Sequence, residues 1–249
     1  MAGEILDSRG RGDAGWSWPT IHPEGRVYGV IVAVLSGVAA LMAWETLAWP
    51  LAFLALGVLA FFRDPERVVP QEDNVVVSPA DGLVSLISVV SPPAELVGDD
   101  SAGNPGLGDA PVTRVSIFMS VFDVHINRSP VAGQISRIVY IPGKFLNADL
   151  DKASEENERQ HILVTHSDGM KIAFTQIAGL VARRIVPFVK QGDIVGIGQR
   201  VGLIRFGSRV DVYLPAGTGS QVVVGQKVIA GETVLGRLGE DRLIEGAAQ

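Results

Sequence analysis

The sequence predicts a β-rich α+β protein, with two packed antiparallel sheets and two short helices, preceded by a hydrophobic helical hairpin. Three observations support this fold. Residues 27–62 are apolar, and Glu45 is the only charged residue among them. From Val75 onward, short β-branched runs alternate with turns rich in glycine and proline, which is typical of antiparallel strands. Residues 78–85 resemble residues 129–136, which indicates a repeated turn.

Composition limits the classes of function. A chain of 249 residues has room for one sizeable core, or for one domain with an anchor. The net charge of −6 and the lack of a basic run argue against a nucleic-acid partner. Without cysteine there are no disulfides, thiolate metal sites or cysteine nucleophiles. The four histidines lack ligand spacing, so we expect no metal site.

The apolar region contains two runs, each near the lower length limit for a membrane-spanning helix, at residues 27–43 and 47–62. Arginines flank both ends of the pair, which places both ends on the cytoplasmic side. We therefore expect a mobile polar arm at residues 1–25 and a membrane-anchoring hairpin at residues 26–67. Two buried helices of a soluble core are the alternative.

Residues 68–249 are expected to form the β-rich domain. Nine runs predict its strands, at residues 75–77, 83–90, 112–122, 134–140, 161–165, 171–177, 201–206, 209–214 and 222–224. Short helices are predicted at residues 147–159 and 180–189, and a solvent loop at 91–111. Gly-Gln and Gly-Glu turns near the C-terminus resemble those of lipoyl/biotinyl-type sandwiched barrels.

The dipeptide Gly207-Ser208 is capable of chemistry. A serine hydroxyl held against the preceding carbonyl at the edge of a strand can attack it and convert the amide into an ester. Elimination then leaves dehydroalanine, which hydrolyses to an N-terminal pyruvoyl group. Glycine suits the position before the serine because it tolerates strained dihedral angles. The dipeptide alone does not indicate this chemistry, however, because most Gly-Ser pairs are turn residues.

Four longer motifs accompany the dipeptide, FMSVFDVHINRSP at 118–130, PGKFLNA at 142–148, EENER at 155–159 and GLVARRI at 179–185. Together they resemble the phosphatidylserine decarboxylase proenzyme family in its short bacterial form, over about residues 62–215. The resemblance implies autocatalytic cleavage between Gly207 and Ser208. The products would be a β-subunit, 1–207, and an α-subunit, 208–249.

The same resemblance implies decarboxylation of phosphatidylserine to phosphatidylethanolamine and carbon dioxide. Its cofactor would be the covalent pyruvoyl group derived from Ser208, whose Schiff base with the substrate amine serves as electron sink. The implied partners are a phospholipid in the membrane and an α/β heterodimer, with further oligomerisation left open, at the cytoplasmic face of the cell membrane. The alternative is a membrane-tethered lipoyl-like module with a non-catalytic binding role, which leaves the motif at 118–130 unexplained.

Self-cleavage needs a base for the Ser208 hydroxyl. His125 and Asp81 are the candidates. His125 alone among the histidines lies within a dense motif, and a neutral imidazole suits proton transfer. Asp81 is either a turn carboxylate or, as the resemblance implies, the partner that orients the histidine. Other branches of the family carry a second histidine where this chain has Arg128. It is therefore left open whether His125 serves both self-cleavage and decarboxylation. It is also left open whether Arg128 binds substrate or makes a structural hydrogen bond.

Cations beside apolar residues predict where the phospholipid binds. Lys144 adjoins Phe145, and Arg183 and Arg184 lie between apolar residues. A guanidinium offers a forked donor to phosphate oxygens. A solvated helix face with long aliphatic stems is the alternative for these cations.

Overall fold

The computed structural model describes residues 18–98, 105–144, 156–179, 184–205 and 207–247. The hairpin consists of α1 (Pro23–Leu41) and α2 (Glu45–Phe61). The strands are β1 (Thr20–Ile21), β2 (Arg63–Asp64), β3 (Val75–Val77), β4 (Gly82–Val90), β5 (Val112–Met119), β6 (Ile126–Arg128), β7 (Gly133–Ile141), β8 (Arg159–Thr165), β9 (Lys171–Ala178), β10 (Ile185–Pro187), β11 (Ile194–Val195), β12 (Arg200–Ile204), β13 (Ser208–Leu214), β14 (Lys227–Val228) and β15 (Val234–Arg237).

The described strands form antiparallel sheets, as predicted. The largest has eight strands in the order β11-β7-β8-β9-β13-β5-β4-β14, and a second has the order β10-β12-β6. The pairs β1-β2 and β15-β3 complete the arrangement. Side chains of the small sheets, such as Val201 and Leu235, share one buried cluster with Ile117 and Phe174 of the large sheet. The core therefore lies between the large sheet and the smaller ones, while the likeness to a lipoyl-type barrel stays a prediction.

The sequence repeat corresponds to a repeated structure. In each turn the leading serine, Ser78 or Ser129, donates a hydrogen bond of 2.7 Å to the carbonyl oxygen two residues on. A Cβ at the following Gly82 or Gly133 would collide with a backbone carbonyl of the neighbouring strand. Each of the strands that follow, β4 and β7, then has a bulge near its start. The bulges increase twist and help the large sheet to curl around the core.

The hairpin has an apolar exterior. Its outward-facing side chains include Val30, Val34, Leu41, Phe53 and Leu56, all exposed. Among the described helices, α1 is the one whose length and composition suffice to cross a bilayer, and α2 is a shorter apolar helix. Both observations agree with the predicted apolar hairpin.

The base of the hairpin belongs to the folded core of the β-rich part. Phe61 and Phe62, at the end of α2, form a buried cluster with Val124, Ile126 and Leu203. The last of these lies on β12, and Val124 and Ile126 flank His125. The hairpin is thus packed firmly against the segment that carries the motif at 118–130.

Two sequence predictions need correction. The prediction of a helix at 180–189 is wrong for its second half, because Ile185–Pro187 is a strand that pairs with β12 and buries Ile185. Residues 180–183 lie outside the described residues. The strand predicted at 222–224 is a turn, and pairing occurs instead in β14 and β15. In both places tertiary contacts outweigh local propensity. Most of the helix predicted at 147–159 also lies outside the described residues, and its end at Arg159 begins β8.

Candidate active site

The Gly207–Ser208 bond lies at the corner where the chain passes from β12 in the small sheet to β13 in the large one. Gly207 has φ +55°, a left-handed conformation that favours glycine. Nothing lies within 4 Å of a Cβ built there, so the requirement for glycine is conformational. Ser208 is fully buried and opens a central strand, between Met119 of β5 and Ala178 of β9, rather than an edge strand.

A buried polar network begins at the Ser208 hydroxyl. This hydroxyl donates to Sδ of Met119 at 3.3 Å, and Nδ2 of Asn127 lies 3.7 Å from the same sulfur. Oδ1 of Asn127 accepts from Nε2 of Gln176 at 2.8 Å, and Gln176 in turn accepts from Gln160 at 3.0 Å. These bonds assign the orientation of the Asn127 amide, whose NH₂ group is directed towards the Ser208 end of the network.

His125 is buried and neutral. Its Nδ1 lies 3.0 Å from the carbonyl oxygen of Asp123, an atom that only accepts, so Nδ1 carries the proton and Nε2 presents a lone pair. Among the described residues Nε2 has no hydrogen-bond partner. Burial lowers the pKa of His125 to about 4, although Asp123 acts in the opposite direction. The backbone carbonyl of His125 accepts from the N–H of Ile204, which fastens it to the end of β12.

Asp81 occupies the first copy of the repeated turn. It pairs with Arg67 at 2.7 Å and accepts a 2.8 Å hydrogen bond from the N–H of Ala230. Burial raises the pKa of Asp81, and the nearby Asp123 adds to this, while Arg67 opposes it. The second copy of the turn has Ala132 at the equivalent position and forms the same serine hydrogen bond without a carboxylate. The turn itself therefore does not require Asp81.

Of the three predicted catalytic side chains, His125 and Ser208 lie on segments that contact each other at this corner. Asp81 and His125 both interact electrostatically with Asp123 and Arg63. Among the described hydrogen bonds, however, none joins Asp81, His125 and Ser208 directly. The carboxylate is bound to Arg67, and the hydroxyl is directed to sulfur. The catalytic roles of the three residues stay predictions.

Arg128 is held inside the protein. Its Nη1 donates to the carbonyl of Gly198 and its Nη2 to the carbonyl of Pro65, both at 2.9 Å. Nη2 also lies 3.5 Å from a carboxylate oxygen of Asp64. These contacts connect the chain after the hairpin to the β-rich part, and they favour the structural alternative for Arg128.

The other predicted substrate contacts lie at the surface or outside the described residues. The Lys144 side chain is 70% exposed and pairs with Glu156 at 3.0 Å, a type of surface pair worth little energy. Arg184 is exposed, and its carbonyl accepts from the N–H of Arg205. Phe145 and Arg183 lie outside the described residues, so the predicted phospholipid contacts stay predictions.

Sequence reasoning missed several residues around the corner. Arg63 and Arg67 are two of the arginines that flank the hairpin, yet Arg67 binds Asp81 and Arg63 contributes to the electrostatic field at His125. Arg205, two residues before Gly207, forms an ion pair of 2.6 Å with Glu24 of α1. The dense charges directly after the apolar run were the available signal for Arg63 and Arg67. Nothing in the sequence pairs residues 24 and 205.

The chain is similar to known proteins over most or all of its length. A sequence model of the family described as phosphatidylserine decarboxylase matches residues 54–236. The phosphatidylserine decarboxylase proenzyme of Erythrobacter litoralis is 76% identical over 249 residues, which is all of both chains. The proenzyme of Novosphingobium aromaticivorans is 76% identical over all of this chain and 99% of its own length. The proenzyme of Zymomonas mobilis is 60% identical over 90% of this chain and 89% of its own length.

These similarities define the class of protein first: an enzyme of the carboxy-lyase type. More particularly, the chain belongs to the phosphatidylserine decarboxylase family.

Proposed function

We propose that this chain cuts itself between Gly207 and Ser208 and then decarboxylates phosphatidylserine to phosphatidylethanolamine and carbon dioxide. One observation carries the proposal. The segment from Met119 to Arg128 contacts the β12–β13 corner on both sides, through Met119 at Ser208 and through His125 at Ile204. A nucleophile, a glycine in a left-handed conformation and a neutral imidazole therefore belong to one local structure.

In the proposed self-cleavage, Oγ of Ser208 attacks the carbonyl carbon of Gly207, and the hydroxyl proton passes to His125. Return of this proton to the Ser208 nitrogen breaks the C–N bond and leaves an ester. Removal of the Ser208 Cα proton then expels the Gly207 carboxylate and leaves a dehydroalanine amine. Tautomerisation and addition of one water release ammonia and leave the pyruvoyl group at the new N-terminus.

The surroundings of Ser208 fit such a group. It would begin β13 at a fully buried position, near the amide NH₂ of Asn127, which is a hydrogen-bond donor suited to a carbonyl oxygen. When present, the group supplies an electron sink for the carbanion left by loss of carbon dioxide. The neutral His125 is suited to hold and return a proton nearby, and burial of the corner excludes water.

The apolar hairpin supports a place for this reaction at a membrane. We propose that α1 and α2 anchor the protein at the cytoplasmic face of the cell membrane, where the phospholipid substrate is confined. The two products of self-cleavage would stay together as an α/β heterodimer, because β13 is paired along its length with β5 and β9 of the larger fragment.

Intact-mass spectrometry of the purified protein tests the proposal. Fragments corresponding to residues 1–207 and 208–249 are expected, with the second lacking the amine of serine. Ser208→Ala should remain whole and inactive. The chain offers a matched control in its other Gly-Ser dipeptide, Gly219-Ser220, where Ser220 is also buried but donates to the carbonyl of Val222.

Ser220→Ala should therefore be processed like the unchanged protein. An unchanged chain that stays intact when purified from membranes would contradict self-cleavage and favour a non-catalytic binding module. Cleaved protein that releases no carbon dioxide from phosphatidylserine would contradict the proposed substrate.

A further inference from the structure

The turn between β5 and β6 displays two apolar side chains to solvent. Phe122 is 83% exposed and Val121 48% exposed. The turn is nevertheless closed by hydrogen bonds: the N–H of Ser120 donates to the Asp123 carboxylate at 2.8 Å, and the N–H of Asp123 donates to the Ser120 carbonyl at 3.0 Å. The Phe122 N–H also donates to the Ser120 hydroxyl at 3.3 Å. Exposure of the two side chains is therefore fixed by the turn.

This turn is attached to the base of the hairpin. Nη1 of Arg63 donates to the carbonyl of Ala60, in the last turn of α2, and its Nη2 donates to the carbonyl of Phe122 at 2.6 Å. Val124, directly after the turn, packs in the buried cluster with Phe61. The exposed phenyl ring thus extends from a rigid support beside the end of an apolar helix.

We propose that Val121 and Phe122 insert into the bilayer that receives the hairpin, as a second, non-helical membrane contact. The proposal rests on the proposed anchoring by α1 and α2. Continuity with the exposed apolar face of the hairpin favours a bilayer as the occupant. Charge favours apolar insertion as well, because a net charge of −6 gives no general attraction to anionic lipids. Arg63 supplies a cation beside the turn, at the level of the headgroups.

The contact has a consequence for the active site. The carbonyl of Asp123, at the end of this turn, holds Nδ1 of His125 at 3.0 Å. The depth of the Phe122 ring in the bilayer therefore sets the height of the imidazole above the headgroups. A phospholipid that approaches beside the turn can present its headgroup there while its acyl chains stay in the membrane.

The absence of cysteine allows a direct test with single labels. Phe122→Cys in the full chain, carrying an environment-sensitive NBD fluorophore, is reconstituted in vesicles of phosphatidylcholine and phosphatidylserine. We expect a blue-shifted emission that nitroxide-labelled lipids quench. Val89→Cys is the matched control, because Val89 is 72% exposed but lies at the opposite end of the β4–β5 pair. Its label should stay in water, and a label at Leu35→Cys on α1 should report insertion.

A second measurement connects insertion to catalysis. Phe122→Ser should lower activity on vesicle phosphatidylserine roughly tenfold, as loss of one inserted aromatic ring predicts, and leave self-cleavage and activity on a dispersed short-chain substrate unchanged. An aqueous label at 122 with an inserted label at 35 would overturn the proposal. A blue shift at position 122 that depends on protein concentration at fixed lipid would overturn the proposal and would indicate contact with a second copy of the chain. Equal losses of activity on vesicle and dispersed substrate would also overturn the proposal. Complete lack of decarboxylation by the unchanged protein would refute the proposed function instead. The fluorescence of the labels would still test the membrane contact, because it does not depend on activity.

Discussion

The Phe61 ring lies 4.2 Å from the imidazole of His125, centroid to centroid, with an angle of 36° between the planes. Phe61 is the last residue of α2, so the apolar hairpin itself covers the candidate base. This contact excludes water from the imidazole, and burial is the largest cause of the low pKa of His125. The hairpin is therefore part of the environment of the site as well as a candidate anchor.

Phe61→Ala should admit water to His125 and raise its pKa from about 4 towards its usual value near 6.5. If His125 is the base for self-cleavage, the acid limb of the rate against pH should then move to higher pH. The rate is measured by gel after release of the unprocessed protein from denaturant into detergent at each pH. Phe53→Ala, at an exposed position of α2, is the control and should leave the limb in place. An acid limb already near 6.5 in the unchanged protein would count against His125.

Asp81→Asn should separate catalysis from turn formation. Because the copy of the turn with Ala132 forms without a carboxylate, the fold should tolerate the substitution with a small change in stability. Self-cleavage should slow by a factor on the order of 100 or more, as for loss of an acid–base group. Thermal unfolding and intact mass measure the two effects. Normal processing of the Asp81→Asn variant would assign the carboxylate a structural role only, through its ion pair with Arg67 and its hydrogen bond from Ala230.

Asn127→Leu should slow processing, because it removes the NH₂ group that the buried network directs to the Ser208 end. The control is Gln160→Leu, at the far end of the same network. Each substitution leaves one buried polar atom of the Gln176 amide without its partner, Nε2 in Asn127→Leu and Oε1 in Gln160→Leu, and should cost about 1–3 kcal/mol of stability. Only Asn127→Leu should reduce the rate of self-cleavage, by at least about tenfold; equal rates in the two variants would assign Asn127 a purely structural role.

Stability should fall as the pH is lowered from about 6.5 to 4. His125 and His161 are both buried, and burial lowers the pKa of each to about 4. Between that value and 6.5 the unfolded chain binds the proton and the folded chain does not, so the free energy of unfolding decreases by roughly 3 kcal/mol per group. The raised pKa of Asp81 acts in the opposite direction and offsets part of this loss.

Urea unfolding of the uncleaved Ser208→Ala protein measures this dependence. His161→Gln in the same background should flatten the slope by about one proton, because His161 lies away from the corner, bonded to Thr175 at 2.7 Å. An unchanged slope would mean that His161 is already protonated in the folded protein.

The sequence by itself determined the apolar hairpin, most of the strands and the repeated turn, since these follow from local periodicity and from glycines that close contacts require. It also singled out Ser208, His125 and Asp81, because motif context and residue chemistry can be read along the chain. Tertiary structure alone decided that Ile185–Pro187 is a strand, because its pairing partner β12 comes later in the chain. It decided likewise that Arg128 faces inward, that Arg67 holds Asp81, and that Phe61 covers His125. Such contacts join residues far apart in sequence, and burial, which sets the charge state of the imidazole, exists only once those segments have packed together.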